Sequence, residues 1–129
     1  MSLDLEKLIG IAILTLVAFW FYDYYQPEIQ EKIGDVRQAQ LDRFVKAEGY
    51  FHTFKYDEAI VCYRQALAKG LSEPRQQEAY FRVPAALDKA GRKQEALDAY
   101  REAIKRYPNS EDATRAQAAI EKLRVETGQ

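Results

Sequence analysis

The chain opens on a run that has no polar rhythm. From Leu8 to Tyr22 it reads Leu-Ile-Gly-Ile-Ala-Ile-Leu-Thr-Leu-Val-Ala-Phe-Trp-Phe-Tyr, 15 residues without a charge. A helix made of this run is apolar all round, whereas a helix lying on a membrane surface keeps a polar stripe. At ~1.5 Å per residue the run covers about 22 Å of the ~30 Å hydrocarbon layer. Leu3 and Leu5 on one side, with Tyr24 and Tyr25 on the other, extend it towards a full span. Lys7 and Asp23 bracket the run and can reach the headgroups, which avoids the cost of a charge at mid-bilayer. Residues 1–25 are therefore expected to be a transmembrane anchor, with Leu8, Ile11, Leu14, Val17, Phe19, Trp20, Phe21 and Tyr22 facing lipid. The aromatics at its end resemble an interfacial belt.

Two other origins for such a run compete with this one. A cleaved signal peptide ends in small residues, and this run ends in aromatics. A lipoprotein signal needs a Cys just past the apolar stretch, and the single Cys is Cys62. A core helix of a soluble fold is the other alternative, but a terminal helix apolar on all sides needs protein on all sides. Orientation is weakly encoded. Lys7 and the amino terminus lean the short tail to the inside and the rest of the chain to the outside, while Lys32 and Arg37 pull the other way.

After residue 25 the apolar positions recur at steps of three and four. Pro27 stands where a helix accepts its first turn, with Glu28 and Glu31 near that end. Ile29, Ile33 and Val36, then Phe44, Ala47 and Phe51, predict one long helix, or two broken near Gly34, reaching to about Thr53. Tyr56 to Lys69 predicts a helix that Gly70 stops. Ser72 is expected to cap a third helix, with Pro74 in its first turn, running to Ala90. Lys93 to Arg106 predicts a fourth, with Ala96, Tyr100, Ala103 and Ile104 buried. Pro108, Asn109 and Ser110 close it and cap a fifth, carrying Ala113, Ala116, Ile120 and Leu123 on one side. No window alternates with period two for long enough to predict a strand. The expected class is all-α.

Composition narrows the function classes. Beyond residue 25 there are 18 basic and 17 acidic residues, so no basic field points to nucleic acid. One Cys and one His leave neither a disulfide framework nor a multi-ligand metal site. No Gly-rich phosphate loop, Gly-x-Ser-x-Gly elbow or Cys-x-x-Cys occurs. His52 has Glu48 one turn earlier, a pairing that is usually a surface contact, and Cys62 reads as a small apolar filler. We expect no catalytic residue, no cofactor and no metal.

Two blocks of the chain repeat each other. Glu58-Ala59, Tyr63-Arg64 and Ala66-Leu67 return as Glu95-Ala96, Tyr100-Arg101 and Ala103-Ile104, at an offset of 37 residues. A fixed period of this size marks stacked hairpins. The pattern resembles the tetratricopeptide repeat, whose second helix carries a small residue, an aromatic and another small residue at four- and three-residue steps. Small side chains let two helices approach, and the aromatic fills the gap between units. Tyr50 and Ala47 match the aromatic and small positions of the first helix, and Pro108 matches the terminating proline. The second unit departs from the pattern: Pro84 replaces the small residue and Leu87 the aromatic, so a bend is expected there. The expected organisation is an anchor over 1–25, a linker or capping helix over 26–39, repeat units over 40–72 and 73–108, and a closing helix over 109–129.

The resemblance implies a concave groove lined by the first helix of each hairpin, taking an extended peptide or a partner helix. By correspondence the lining is Leu41, Phe44, Val45, Glu48, Phe51 and His52 from the first unit. Glu78, Phe81, Arg82, Ala85, Asp88 and Lys89 follow from the second, and Arg115 and Lys122 from the last helix. The Lys and Asn that clamp a peptide carboxylate in the chaperone-binding branch are replaced here by Phe44 and Glu48, and Phe44, Phe51 and Phe81 suggest an apolar ligand. The segment Arg106-Tyr107-Pro108-Asn109-Ser110 resembles bacterial envelope members of the family. Taken together, these features imply a non-enzymatic adaptor at a bacterial inner membrane, with its repeats weakly favoured on the periplasmic side. Its partners are expected to be membrane-associated proteins. The alternatives are a permanent accessory subunit of a membrane complex, and an organellar import or fission adaptor.

Overall fold

The computed structural model describes residues 4–129. Among the described residues five helices follow one another: α1 (Leu5–His52), α2 (Tyr56–Ala68), α3 (Arg75–Lys89), α4 (Lys93–Arg106) and α5 (Glu111–Thr127). No strand occurs among the described residues. The chain divides into two compact units, one up to Val36 and one from Arg37 onwards.

Among the described residues, the unit up to Val36 is helix from Leu5 onwards. Its apolar side chains from Leu8 to Tyr22 are all exposed, and no part of its most apolar window is buried. Trp20 stacks on Tyr24 at 5.5 Å, and Phe21 lies 5.1 Å from Tyr25, ring centre to ring centre, so the aromatics form an i,i+4 ladder. Leu3, expected to lengthen the span, lies outside the described residues. The expectation that Pro27 opens a helix is overturned, because it sits inside α1. An interior proline costs about 3 kcal/mol through a lost hydrogen bond and a clash with the preceding turn. Good helix formers on both sides offset that, helped by pairs such as Lys32 with Glu28 at 3.0 Å. Gly34 does not interrupt α1 either.

From Arg37 onwards the helices pack as nested hairpins. Ala59, Ala66, Ala96 and Ala103 are fully buried, as are Ala47, Ala79 and Ala86. With one methyl each, these positions let neighbouring helix backbones come close. Larger side chains fill what remains: Ile60, Tyr63, Leu87, Leu97 and Leu123 are almost wholly removed from water. Burial of one such side chain stabilises by roughly 1.5–3 kcal/mol, so these layers supply most of the driving force. Pro84 lies in the same core, and α3 runs through it without a break.

The connections follow backbone rules. Gly70 and Gly91 take φ +83 after α2 and α3, the left-handed conformation that ends helices most easily at glycine. Phe54, which corresponds to Gly91 in the repeat, adopts φ +65 with its ring exposed. Ser110 caps α5 as expected, its Oγ accepting from the Ala113 N–H at 3.1 Å. Ser72 does not cap α3. The helix starts later, at Arg75, and the Glu73 carboxylate accepts from the Gln77 N–H at 3.3 Å instead. Glu73 is one residue nearer, and its longer side chain reaches the open N–H groups of the first turn.

Candidate interaction groove

Helices α3, α4 and α5 enclose a groove of about 530 Å³. One face of α3 supplies Gln77, Glu78, Phe81, Arg82 and Ala85, spaced at three and four residues as a helix face requires. Tyr100 of α4 forms part of the wall, and Asp112, Arg115 and Ala116 enter from α5. The groove is amphipathic: Phe81, Ala85 and Ala116 are its apolar part, set among charged groups.

Most of those charges hold one another. Glu78 pairs with Arg75 at 3.1 Å. Asp112 takes Arg115 at 3.5 Å on one oxygen and a hydrogen bond from Gln77 Nε2 at 3.2 Å on the other. Arg115 also pairs with Glu111. Tyr100 is nearly buried, and the loss of water pushes its phenol pKa up, with Asp88 adding to the shift.

Beside the groove stands a hub at Glu48. Its carboxylate accepts from the hydroxyl of fully buried Tyr63, and lies 3.2 Å from Arg82 Nε and 3.4 Å from His52 Nε2. Burial first, and the bond to Glu48 second, drive the Tyr63 phenol well above its ordinary range. The Arg82 guanidinium also lies 5.1 Å from the centre of the Phe51 ring, a cation–π contact. Its Nε is buried, and the approach to Glu48 is too oblique to make a hydrogen bond.

Of the side chains expected to line a groove, Phe81, Arg82, Ala85 and Arg115 are brought together, and Glu78 joins them. Glu48 and Phe51 reach this cluster only through Arg82. Phe44 is a correction: it is 2% exposed and belongs to the core. Its ring meets Tyr63 edge-on at 5.8 Å, while Arg75 lies 5.3 Å from its centre on another side, so packing of α1 on α2 takes it away from any ligand. Leu41, Val45 and His52 are exposed on α1, outside the groove. Lys89 lies 5.9 Å from the Tyr56 ring centre, Asp88 takes Lys93, and Lys122 is exposed on α5; none of the three lines the groove.

Sequence reasoning missed Pro74, Gln77, Tyr100, Asp112 and Ala116. Gln77 was within reach, since it lies one helical turn before Phe81. Tyr100 was assigned wholly to the core by its place in the repeat, yet its edge reaches the groove. Among the described residues no group of three His, Cys, Asp or Glu is arranged to hold a metal ion.

Comparison with known proteins agrees with this architecture. The family model described as Tetratrico peptide repeat matches residues 42–126, from the last turns of α1 to the end of α5. No curated protein and no solved structure matches the chain. Hairpins stacked through small residues, a groove between successive units and a family match over most of the length agree, and tetratricopeptide repeats mediate contacts between proteins. The chain is a member of the tetratricopeptide repeat family.

Proposed function

We propose that this protein is a membrane-anchored, non-enzymatic adaptor that holds a partner protein in the groove between α3, α4 and α5. The observation that carries the reading is the groove itself, where Phe81 and Ala85 offer apolar contact between Arg82 and Arg115. An occupant of that size is a peptide segment or one face of a helix. The segment from Leu8 to Tyr22 is the anchor. Support comes from its unbroken apolar surface, exposed on every side of α1. Tethering confines the repeats to the membrane surface and raises their effective concentration for partners there. An assembly factor or chaperone-like helper at a bacterial inner membrane, with the repeats on the periplasmic side, fits this arrangement. A permanent accessory subunit of a membrane complex is the second reading, favoured by an uncharged run that is short for a lone span.

Crosslinking in native membranes, followed by identification of the trapped neighbour, tests the adaptor reading. Phe81→Glu should abolish the crosslink while the helical circular dichroism signal and its melting persist. An undiminished crosslink in that folded variant removes the groove from consideration. Purification in mild detergent separates the two readings, since a permanent subunit co-purifies with its complex at fixed stoichiometry. Leu14→Arg should move the protein from the membrane pellet to the soluble fraction, and retention in the pellet counts against the anchor.

A further inference from the structure

Between the apolar run and Val36, α1 has two unlike sides. Ile29, Ile33 and Val36 stand at steps of four and three, and Gln26 and Tyr22 continue the count backwards, a period of ~3.5 residues. The acidic side chains Glu28, Glu31 and Asp35 fall on the opposite side, as do Pro27 and Gly34. Among the described residues no side chain up to Val36 is buried, and Ile29, Ile33 and Val36 are exposed. A helix in water draws most of its stability from packing one face, and this stretch is weakened further by Pro27 and Gly34. Its apolar seam therefore calls for a cover.

We infer that two or more copies of this chain associate, parallel and in register, along the seam from Tyr22 to Val36 as a short coiled coil next to the membrane. The inference rests on Leu8 to Tyr22 being the anchor. An apolar side with this period is what knobs-into-holes packing requires. Anchors inserted from one side hold copies at one depth, so each seam residue meets its own counterpart at a raised effective concentration. Gln26 favours an identical occupant. Its oxygen takes a long bond from Gln30, at 3.5 Å, within its own helix. Against a wholly apolar helix its amide would lose water without replacement, whereas a second copy in register presents a matching amide that both donates and accepts. A polar side chain at such a position fixes register. Counted back into the anchor, the seam passes Thr15 and Ala12, small residues that let two spans approach. Lys32 beside the seam is held by Glu28 of its own helix at 3.0 Å, which softens repulsion between copies.

The test is cysteine crosslinking of the full chain in native membranes, in a Cys62→Ser background, with two co-expressed copies carrying different tags. Gln26→Cys, Ile29→Cys, Ile33→Cys and Val36→Cys should each give a product bearing both tags, and Glu28→Cys, Glu31→Cys and Asp35→Cys should not. Ile33→Glu should abolish the Ile29→Cys product while the protein stays in the membrane pellet. Lys32→Glu, which by heptad position meets Arg37 of the neighbouring copy, should increase that product. In protein that pellets with the membrane, equal crosslinking on both sides of the helix, or none on either, overturns the inference and leaves the anchor standing. A seam product bearing one tag and a foreign mass also overturns it, because another protein then covers the seam. Recovery of the protein in the soluble fraction overturns the anchor and the inference with it.

Discussion

Replacing Glu48 by alanine should destabilise the repeats, and a second substitution should show why. Tyr63 is fully buried, and its hydroxyl donates to the Glu48 carboxylate across the α1–α2 hairpin. Glu48→Ala removes the acceptor and strands the hydroxyl where water cannot replace it, at a cost of about 1–3 kcal/mol. The same change also removes the counter-charge of Arg82, whose side chain is about one-third exposed, so this part is worth about 1 kcal/mol or less. Tyr63→Phe keeps the ring and its edge-on contact with Phe44 but has no hydroxyl to strand. In that background Glu48→Ala should cost only the ionic part. The double-mutant cycle, read by urea unfolding followed by circular dichroism, should therefore give a coupling of about 1–2 kcal/mol. Strict additivity of the two changes would refute the hub. So would a Glu48→Ala variant as stable as the parent.

Three further outcomes follow from the same packing and chemistry. Ala96→Leu forces extra volume between helices that meet at a fully buried methyl, and should lower stability by about 1–3 kcal/mol or prevent folding, visible as a fall in melting temperature. Gly91→Ala should cost about 1 kcal/mol in the same melting assay, although no atom lies within 4 Å of the added methyl, because φ +83 itself disfavours an L side chain. Tyr63 and Tyr107 both titrate above their unfolded value near 10, Tyr107 being pushed up to about 12 by burial and by its bond to Glu73. The folded state thus holds these protons more tightly, and that stability is fully present below about pH 10 and lost as pH rises beyond it. Unfolding midpoints should be level up to about pH 10 and then fall, less steeply in Tyr63→Phe; an equal slope in that variant would count against the assignment.

The scaffold was legible because its determinants are periodic. Alanine and tyrosine at steps of four and three, returning after 37 residues, identify faces that must meet, and Ala59, Tyr63, Ala66, Ala96 and Ala103 are buried as that requires. The groove was only partly legible. A single helical step separates a residue that faces a ligand from one that faces the next helix, and Phe44 has the same chemistry in either place. Its burial is decided by how α1 meets α2, which spacing along one helix does not encode. Tyr100 shows the converse, since one side chain serves the core with its ring and the groove with its edge. Pro27 was misjudged because local propensity places proline at helix starts, whereas here the flanking segments sustain helix through it.

The buried alanines carry a consequence for adaptability. None of Ala59, Ala66, Ala96 and Ala103 lines the groove, while Ala85 and Arg115 do. What makes the hairpins nest and what greets a visitor are thus written largely at different positions. Exchanging the side chains at 85 and 115 can retune which sequences are held, with the chassis left as it stands. Tyr100 and Ala116 serve both the core and the groove, and Glu48 ties Arg82 to Tyr63, so a new preference at these three positions has to be negotiated with the interior.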